Sequence, residues 1–189
     1  MSGHFIVNTL TGVVPDTADA MQTAVLEDAL KQVGFIPNMY ANMVNVPGVL
    51  STYLHGYGAF RQHSDFTPAE QEVVFLAISR ENDCKYCTAA HSMLADRYSK
   101  VPTPVLAAIR AGTPLPEAKL AALFAFTQEL VRNAGKVPKA VADAFLAAGY
   151  TDRDALQVVL AAAVKTLSNY TNHLFQTAVD EAFAAYAVS

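Results

Sequence analysis

EVVFLAISRENDCKYCTAAH, residues 72–91, is the stretch on which both the architecture and the chemistry of this chain turn. Its first half carries Val73, Val74, Phe75, Leu76, Ala77 and Ile78 in succession. A run apolar on nearly every side reads as a buried helix. Just upstream, Thr67-Pro68-Ala69-Glu70 is a helix start. Thr67 can cap, Pro68 fits the first turn without losing a needed donor, and Glu70 can close a capping box. The spacing predicts one helix over 67–80, a break at Asn82-Asp83, and a second helix from Cys84 to about residue 98.

Working outward, the same signals recur and strand signals are nearly absent. Met21, Val25, Leu26, Ala29, Leu30 and Val33 stand at helical spacing over 18–33, with Gly34 as the stop. GFIPNMY turns the chain into a short helix ending near Asn45, and Pro47 opens another through Leu50, Leu54, Tyr57 and Phe60. The proline-rich stretch 99–116 fits short helical pieces joined by turns. Helices are expected over 117–133, 138–148, 151–167 and 169–186. The expected fold class is all-α, a compact multi-helix bundle forming a single domain over 1–189.

A faint internal repeat strengthens that reading. A shift of 84 positions sets FTPAEQEVVFLA (66–77) against YTDRDALQVVLA (150–161), so that Thr67 meets Thr151 and Tyr86 meets Tyr170. Chance between two Ala-rich helices is the alternative. A true repeat would leave chemistry to the first copy, because the second lacks both cysteines.

Composition narrows the function classes. Hydrophobic residues make up 52% of the 189 and charged residues 16%, which excludes a disordered chain. A net charge of −4 and a pI near 5.7 give no basic footprint for nucleic acid or an anionic membrane. No run reaches the ~18 apolar residues of a membrane span. The first fifteen residues lack the basic start and apolar run of a signal peptide, so a cytoplasmic location is expected. So few charges imply apolar surface shared with another subunit, hence a homo-oligomer. Two cysteines in a cytosolic chain this long read as catalytic, redox or metal-binding rather than as a staple.

Cys84, Cys87 and His91 share one face of the second helix. The thiolate is the reactive form of cysteine, so a neighbouring base or cation has a purpose. His91 stands four residues beyond Cys87, which favours Cys87 as the attacking thiol. The backbone N–H groups and dipole of the helix start favour Cys84 instead. The hairpin can lay Glu72 against the first turns of the second helix, and so apolar a setting should raise its pKa. Tyr86, between the cysteines, is a candidate substrate contact. Each residue also has a plain structural reading: a buried thiol pair, a partnered histidine, a surface carboxylate. A zinc site completed by Glu72 and His91 is a minor alternative. Haem attachment is disfavoured by Thr88. His55 and His63 read as structural or surface residues, His173 as core packing with a pocket wall as the alternative, and His4 sits at a frayed end.

Glu72, Cys84-Lys85-Tyr86-Cys87 and His91 together match E-x11-C-x-x-C-x3-H. That pattern resembles the alkyl hydroperoxidase D-like branch of the carboxymuconolactone decarboxylase superfamily, over a motif core of 34–98. The resemblance implies an oligomeric all-α fold, commonly a trimer or hexamer. It implies a peroxidase acting on organic hydroperoxides through a CxxC dithiol/disulfide cycle, without haem, metal or other cofactor. A dithiol reductant, lipoamide on a partner protein in characterised relatives, would reset it. Carried over by position, Cys84 and Cys87 are the redox pair and Glu72 and His91 the proton relay. One departure is Tyr86, where some relatives have a relay histidine. The decarboxylase branch generally lacks the cysteine pair, so that activity is not carried over. A disulfide reductase and a non-enzymatic redox sensor are the competing readings of the same pair.

Overall fold

The computed structural model describes residues 4–188; residues 1–3 and 189 of the expected single unit lie outside the described residues. Among these residues there are helices and no strands: α1 (Ala20–Val33), α2 (Asn38–Met43), α3 (Pro47–His63), α4 (Pro68–Glu81), α5 (Lys85–Arg97), α6 (Thr103–Ala111), α7 (Ala118–Arg132), α8 (Lys139–Ala147) and α9 (Asp152–Phe175), with 3-10 turns at Pro15–Thr17 and Glu181–Tyr186. No helix of the described residues is long and apolar enough to cross a membrane.

The helix starts follow their caps. Thr67 and Thr151 each accept from the backbone three residues on, and Glu70 and Asp154 return the bond to the cap backbone. Asp19 and Gln22 do the same for α1, which ends at Gly34 with φ 86°. Every residue of α4 from Glu70 to Ser79 is buried, as its all-round apolar pattern requires. α4 packs between α5, α7 and α9. Phe60, Phe75, Leu123, Phe126, Phe145 and Val158 form one core around it. A second core joins α1–α3 to the start of α5 and includes Met43, Leu50, Tyr53, Cys84, Cys87 and Phe183.

The C-terminal expectation fails for a physical reason. The pattern predicts helices over 151–167 and 169–186, but α9 runs unbroken from Asp152 to Phe175. Neither Ser168 nor Asn169 breaks it: both are fully buried, and the Ser168 hydroxyl donates to the Lys165 carbonyl. The chain turns at Gln176, in the left-handed region at φ 49°, and only a 3-10 turn follows. The two stretches therefore share their capping boxes, and only the first is followed by a hairpin.

α3 and α9 approach closely because Gly56 has no side chain. A Cβ there would lie 2.8 Å from Val164 Cγ2, and Val164 is stiff at χ1. Gly56→Leu should therefore cost about 1–3 kcal/mol despite its better helix propensity. A urea titration that shows no loss would disprove the tight contact.

Candidate functional site

The site lies where α4, α5 and α9 meet beside α3, and a chain of charged groups runs through it. Glu72 on α4 is 1% exposed and faces Arg61 of α3 and His91 of α5. One carboxylate oxygen accepts from the Arg61 guanidinium. The other lies 2.8 Å from His91 Nδ1. His91 Nε2 lies 3.0 Å from Lys165 Nζ, on a lysine that is completely buried. An ammonium has donors only, so Nε2 must accept. Nδ1 then carries the hydrogen donated to Glu72, and the imidazole is neutral. Burial, then Lys165, hold the His91 pKa below its ordinary value, against the pull of Glu72.

Lys165 is what the sequence reading missed. His91 is bonded to Lys165 rather than to a cysteine, and Lys165 and Cys87 line the same cavity, near enough for the lysine charge to bear on the thiol. Burial pushes the Cys87 thiol up, but the Cys84 thiol and the Lys165 charge outweigh it and hold Cys87 well below the usual thiol range. Cys84 goes the other way: the hydrogen it donates to Cys87, then burial, push it up. This corrects the helix-start argument for Cys84. Cys84 is the N-cap residue of α5 and is 1% exposed, so burial and its neighbour dominate over the dipole. Both cysteines are free thiols. The charges balance: Arg61 and Lys165 oppose Glu72 and an ionised Cys87. With Cys87 protonated, one buried cation would be left over.

The Glu72 expectation also needs correction. Burial raises its pKa, but His91 and Arg61 together bring it below the ordinary carboxylate range. It pairs with His91, one turn beyond the cysteines, and not with the first turn of α5. Among the described residues no three His, Cys, Asp or Glu converge as metal ligands. The histidine that a zinc site would need has both ring nitrogens engaged.

α9 also supplies Asn172, whose amide nitrogen lies 3.3 Å from Cys87 Sγ and 3.8 Å from Cys84 Sγ, and Ser168, whose hydroxyl is 3.8 Å from Cys87 Sγ. The expectation that only the first copy of the repeat carries the chemical groups is overturned. The clue was present. Val158, Ala161, Lys165, Ser168 and Asn172 fall on one buried stripe, and a lysine on such a stripe is rarely idle.

Cys87, His91 and Lys165 open on a cavity of about 440 Å³ lined by Phe35, Met39, Tyr40, Tyr53, Met93 and Phe183, among others. Rings lead inward to the histidine: Tyr53 stacks on Tyr57, Tyr57 on Phe75, and Phe75 on His91 at 4.8 Å. Tyr86 lines the cavity too, but its hydroxyl is committed to Asp180, and burial followed by that bond raises its pKa. It therefore offers a ring rather than a donor. His173 is exposed, not core, and His55 and His63 lie away from the cysteines on exposed positions of α3.

The buried neutral His91 makes stability pH-dependent. Unfolded, it takes up a proton below its ordinary 6.5; folded, it does so only at lower pH. The unfolded state thus binds more protons in the window below 6.5, so stability is lost as pH falls through it. Urea midpoints at about pH 7 and about pH 5.5 should fall further for the wild type than for His91→Asn. Equal falls would exclude His91 as the source.

Residues 47–129 match the sequence model of the carboxymuconolactone decarboxylase family. Comparison with curated proteins gives no match. The fold is similar to that of an alkylhydroperoxidase AhpD core, an uncharacterized peroxidase-related protein from Ralstonia eutropha JMP134, with a TM-score of 0.77, 21% identity, and coverage of 92% of this chain and 93% of that one. A peroxidase-related protein from Silicibacter sp. TM1040 gives 0.72 and 19%, covering 93% and 95%. The debrominase Bmp8, solved with 2,3,4-tribromopyrrole, gives 0.76 and 16%, covering 96% and 97%.

Proposed function

We infer that this chain, whose residues 47–129 match the carboxymuconolactone decarboxylase family and whose fold is that of an AhpD core, is a member of the AhpD-like branch of that superfamily and a thiol peroxidase that reduces organic hydroperoxides. The observation that carries the reading is the buried Lys165 beside Cys87 at the wall of an apolar cavity. It supports a thiolate facing a space suited to an alkyl or aryl group.

In this reading the Cys87 thiolate attacks the outer oxygen of the hydroperoxide. The S–O bond forms, the O–O bond breaks, and the alkoxide takes a proton from the Lys165 ammonium to leave as an alcohol. Cys87 is then a sulfenic acid. The Cys84 sulfur attacks it, its proton leaves with the hydroxide as water, and a disulfide remains. Glu72 and His91 act through Lys165: Glu72 fixes the imidazole, Nε2 accepts from the ammonium and so positions it, and the proton given to the alkoxide is replaced by one from the reducing dithiol. A dithiol, with protein-bound lipoamide as the candidate donor, returns the pair to thiols. The exposed apolar side chains Leu156, Val159 and Leu160 of α9 support a homo-oligomer, with trimers or hexamers the forms to test.

The ring-lined cavity favours one second reading, reductive dehalogenation of a halogenated aromatic by the same pair. There the thiolate takes the halogen, the carbon takes a proton, and the cysteines again close to a disulfide.

The test mixes reduced protein with cumene hydroperoxide in a stopped flow and follows thiol loss, then turnover with excess dithiothreitol. Oxidation far faster than that of free cysteine, with repeated turnover, is expected. Oxidation no faster than free cysteine overturns the reading. A single oxidation without turnover indicates a sensor, reduction of model disulfides alone a disulfide reductase, and bromide release from 2,3,4-tribromopyrrole the second reading.

A further inference from the structure

The two cysteines line different cavities. Cys87 lines the ring-walled cavity described above, and Cys84 does not. Cys84 lines a second cavity of about 670 Å³, with Asp83, Lys85, His173, Leu174 and Thr177 around it, and Cys87 does not. Tyr86 lines both and forms the partition. The second cavity has more charged and amide side chains around it than the first, which is walled mainly by rings and methionines. Asn172 also lines it. That residue is 4% exposed and gives its amide N–H groups to the sulfurs, while its Oδ1 finds no hydrogen-bond partner among the described residues. A buried amide oxygen left without a donor is costly and implies a donor that is absent here.

We propose that the cavity beside Cys84 admits the thiol that reduces the Cys84–Cys87 disulfide, so that oxidant and reductant reach the pair from different sides. The inference rests on the dithiol/disulfide reading above. Thiol–disulfide exchange runs with the attacking, central and leaving sulfurs near a line. A thiolate approaching Cys84 from a cavity that excludes Cys87 has Cys87 behind the sulfur it attacks. The new bond joins the reductant sulfur to Cys84, the Cys84–Cys87 bond breaks, and the electron pair goes to Cys87 beside Lys165. A second thiolate attacks the reductant sulfur of the mixed disulfide. The reductant leaves as its own disulfide, and Cys84 takes a proton.

Because the disulfide can be formed with diamide, the test needs no hydroperoxide and stands apart from failure of the peroxidase reading. Oxidised wild type, Leu174→Trp and Leu174→Ala are mixed with glutathione or with dithiothreitol, and reduction is followed. Leu174 is 41% exposed, so neither change removes a core contact. The tryptophan should slow reduction by glutathione about tenfold, and the alanine should leave it equal or faster. The smaller dithiothreitol should be slowed less. Oxidation of the reduced Leu174→Trp protein should match the wild type. Unchanged reduction in Leu174→Trp, or equal slowing of oxidation and reduction, overturns the proposal.

Discussion

Cys87→Ser protein should react with cumene hydroperoxide no faster than free cysteine, whereas Cys84→Ser protein should react fast, once, and stop at a sulfenic acid. The asymmetry comes from position. The Cys87 sulfur accepts from the Asn172 amide, and the Lys165 charge and the Cys84 thiol bear on it as well. All three stabilise negative charge, and the thiolate is the nucleophile. A free thiol at neutral pH is only a few per cent thiolate. Losing Cys87 removes the one sulfur so placed, and Cys84 is held protonated by burial once its acceptor is gone. In Cys84→Ser protein, by contrast, the new hydroxyl still offers a hydrogen to Cys87, so attack survives while the partner for the disulfide is missing. A dimedone adduct on Cys87 of the Cys84→Ser protein, read by mass spectrometry, is the decisive product. An adduct on Cys84 in the Cys87→Ser protein would reverse the assignment.

The fold was largely legible because its cues are local. Capping boxes at Thr67 and Thr151 and the glycine after α1 need only neighbouring residues, and they lie where the pattern placed them. The break expected near Ser168 failed for a tertiary reason. Two polar residues that would interrupt an exposed helix are buried here against α4 and α5, and α9 continues through them. The site divides the same way. Glu72, Cys84, Cys87 and His91 share one short segment, so their spacing alone brought them together. Arg61, Lys165, Ser168 and Asn172 come from helices that only packing places beside it. The sign of the Glu72 shift was misjudged for that reason. Judged by its apolar neighbours in sequence it should be raised, but His91, which packing brings onto its carboxylate, and then Arg61, eleven positions upstream, reverse the balance.

Lys165→Met should slow oxidation by roughly 100-fold or more, the usual worth of a positioned proton donor. Two separable losses are involved. With methionine there, the buried set is Arg61, Glu72 and a neutral His91, already balanced. Ionising Cys87 would then add an uncompensated buried charge, so its pKa must rise. The leaving alkoxide also loses its proton source. Methionine nearly matches lysine in length, and replacing a buried ion with an apolar group is often neutral for stability, so the rate loss should come without a matching fall in Tm. The pH profile tells the two losses apart. The wild-type rate should be flat through neutral pH, because Cys87 is already ionised there. The variant should climb with pH as thiolate is restored by titration. Whatever deficit remains at the alkaline plateau measures the missing proton donor, since thiolate is no longer limiting. Full recovery at that plateau would confine Lys165 to holding the thiolate. A variant with wild-type rate and a flat profile would remove Lys165 from the chemistry altogether.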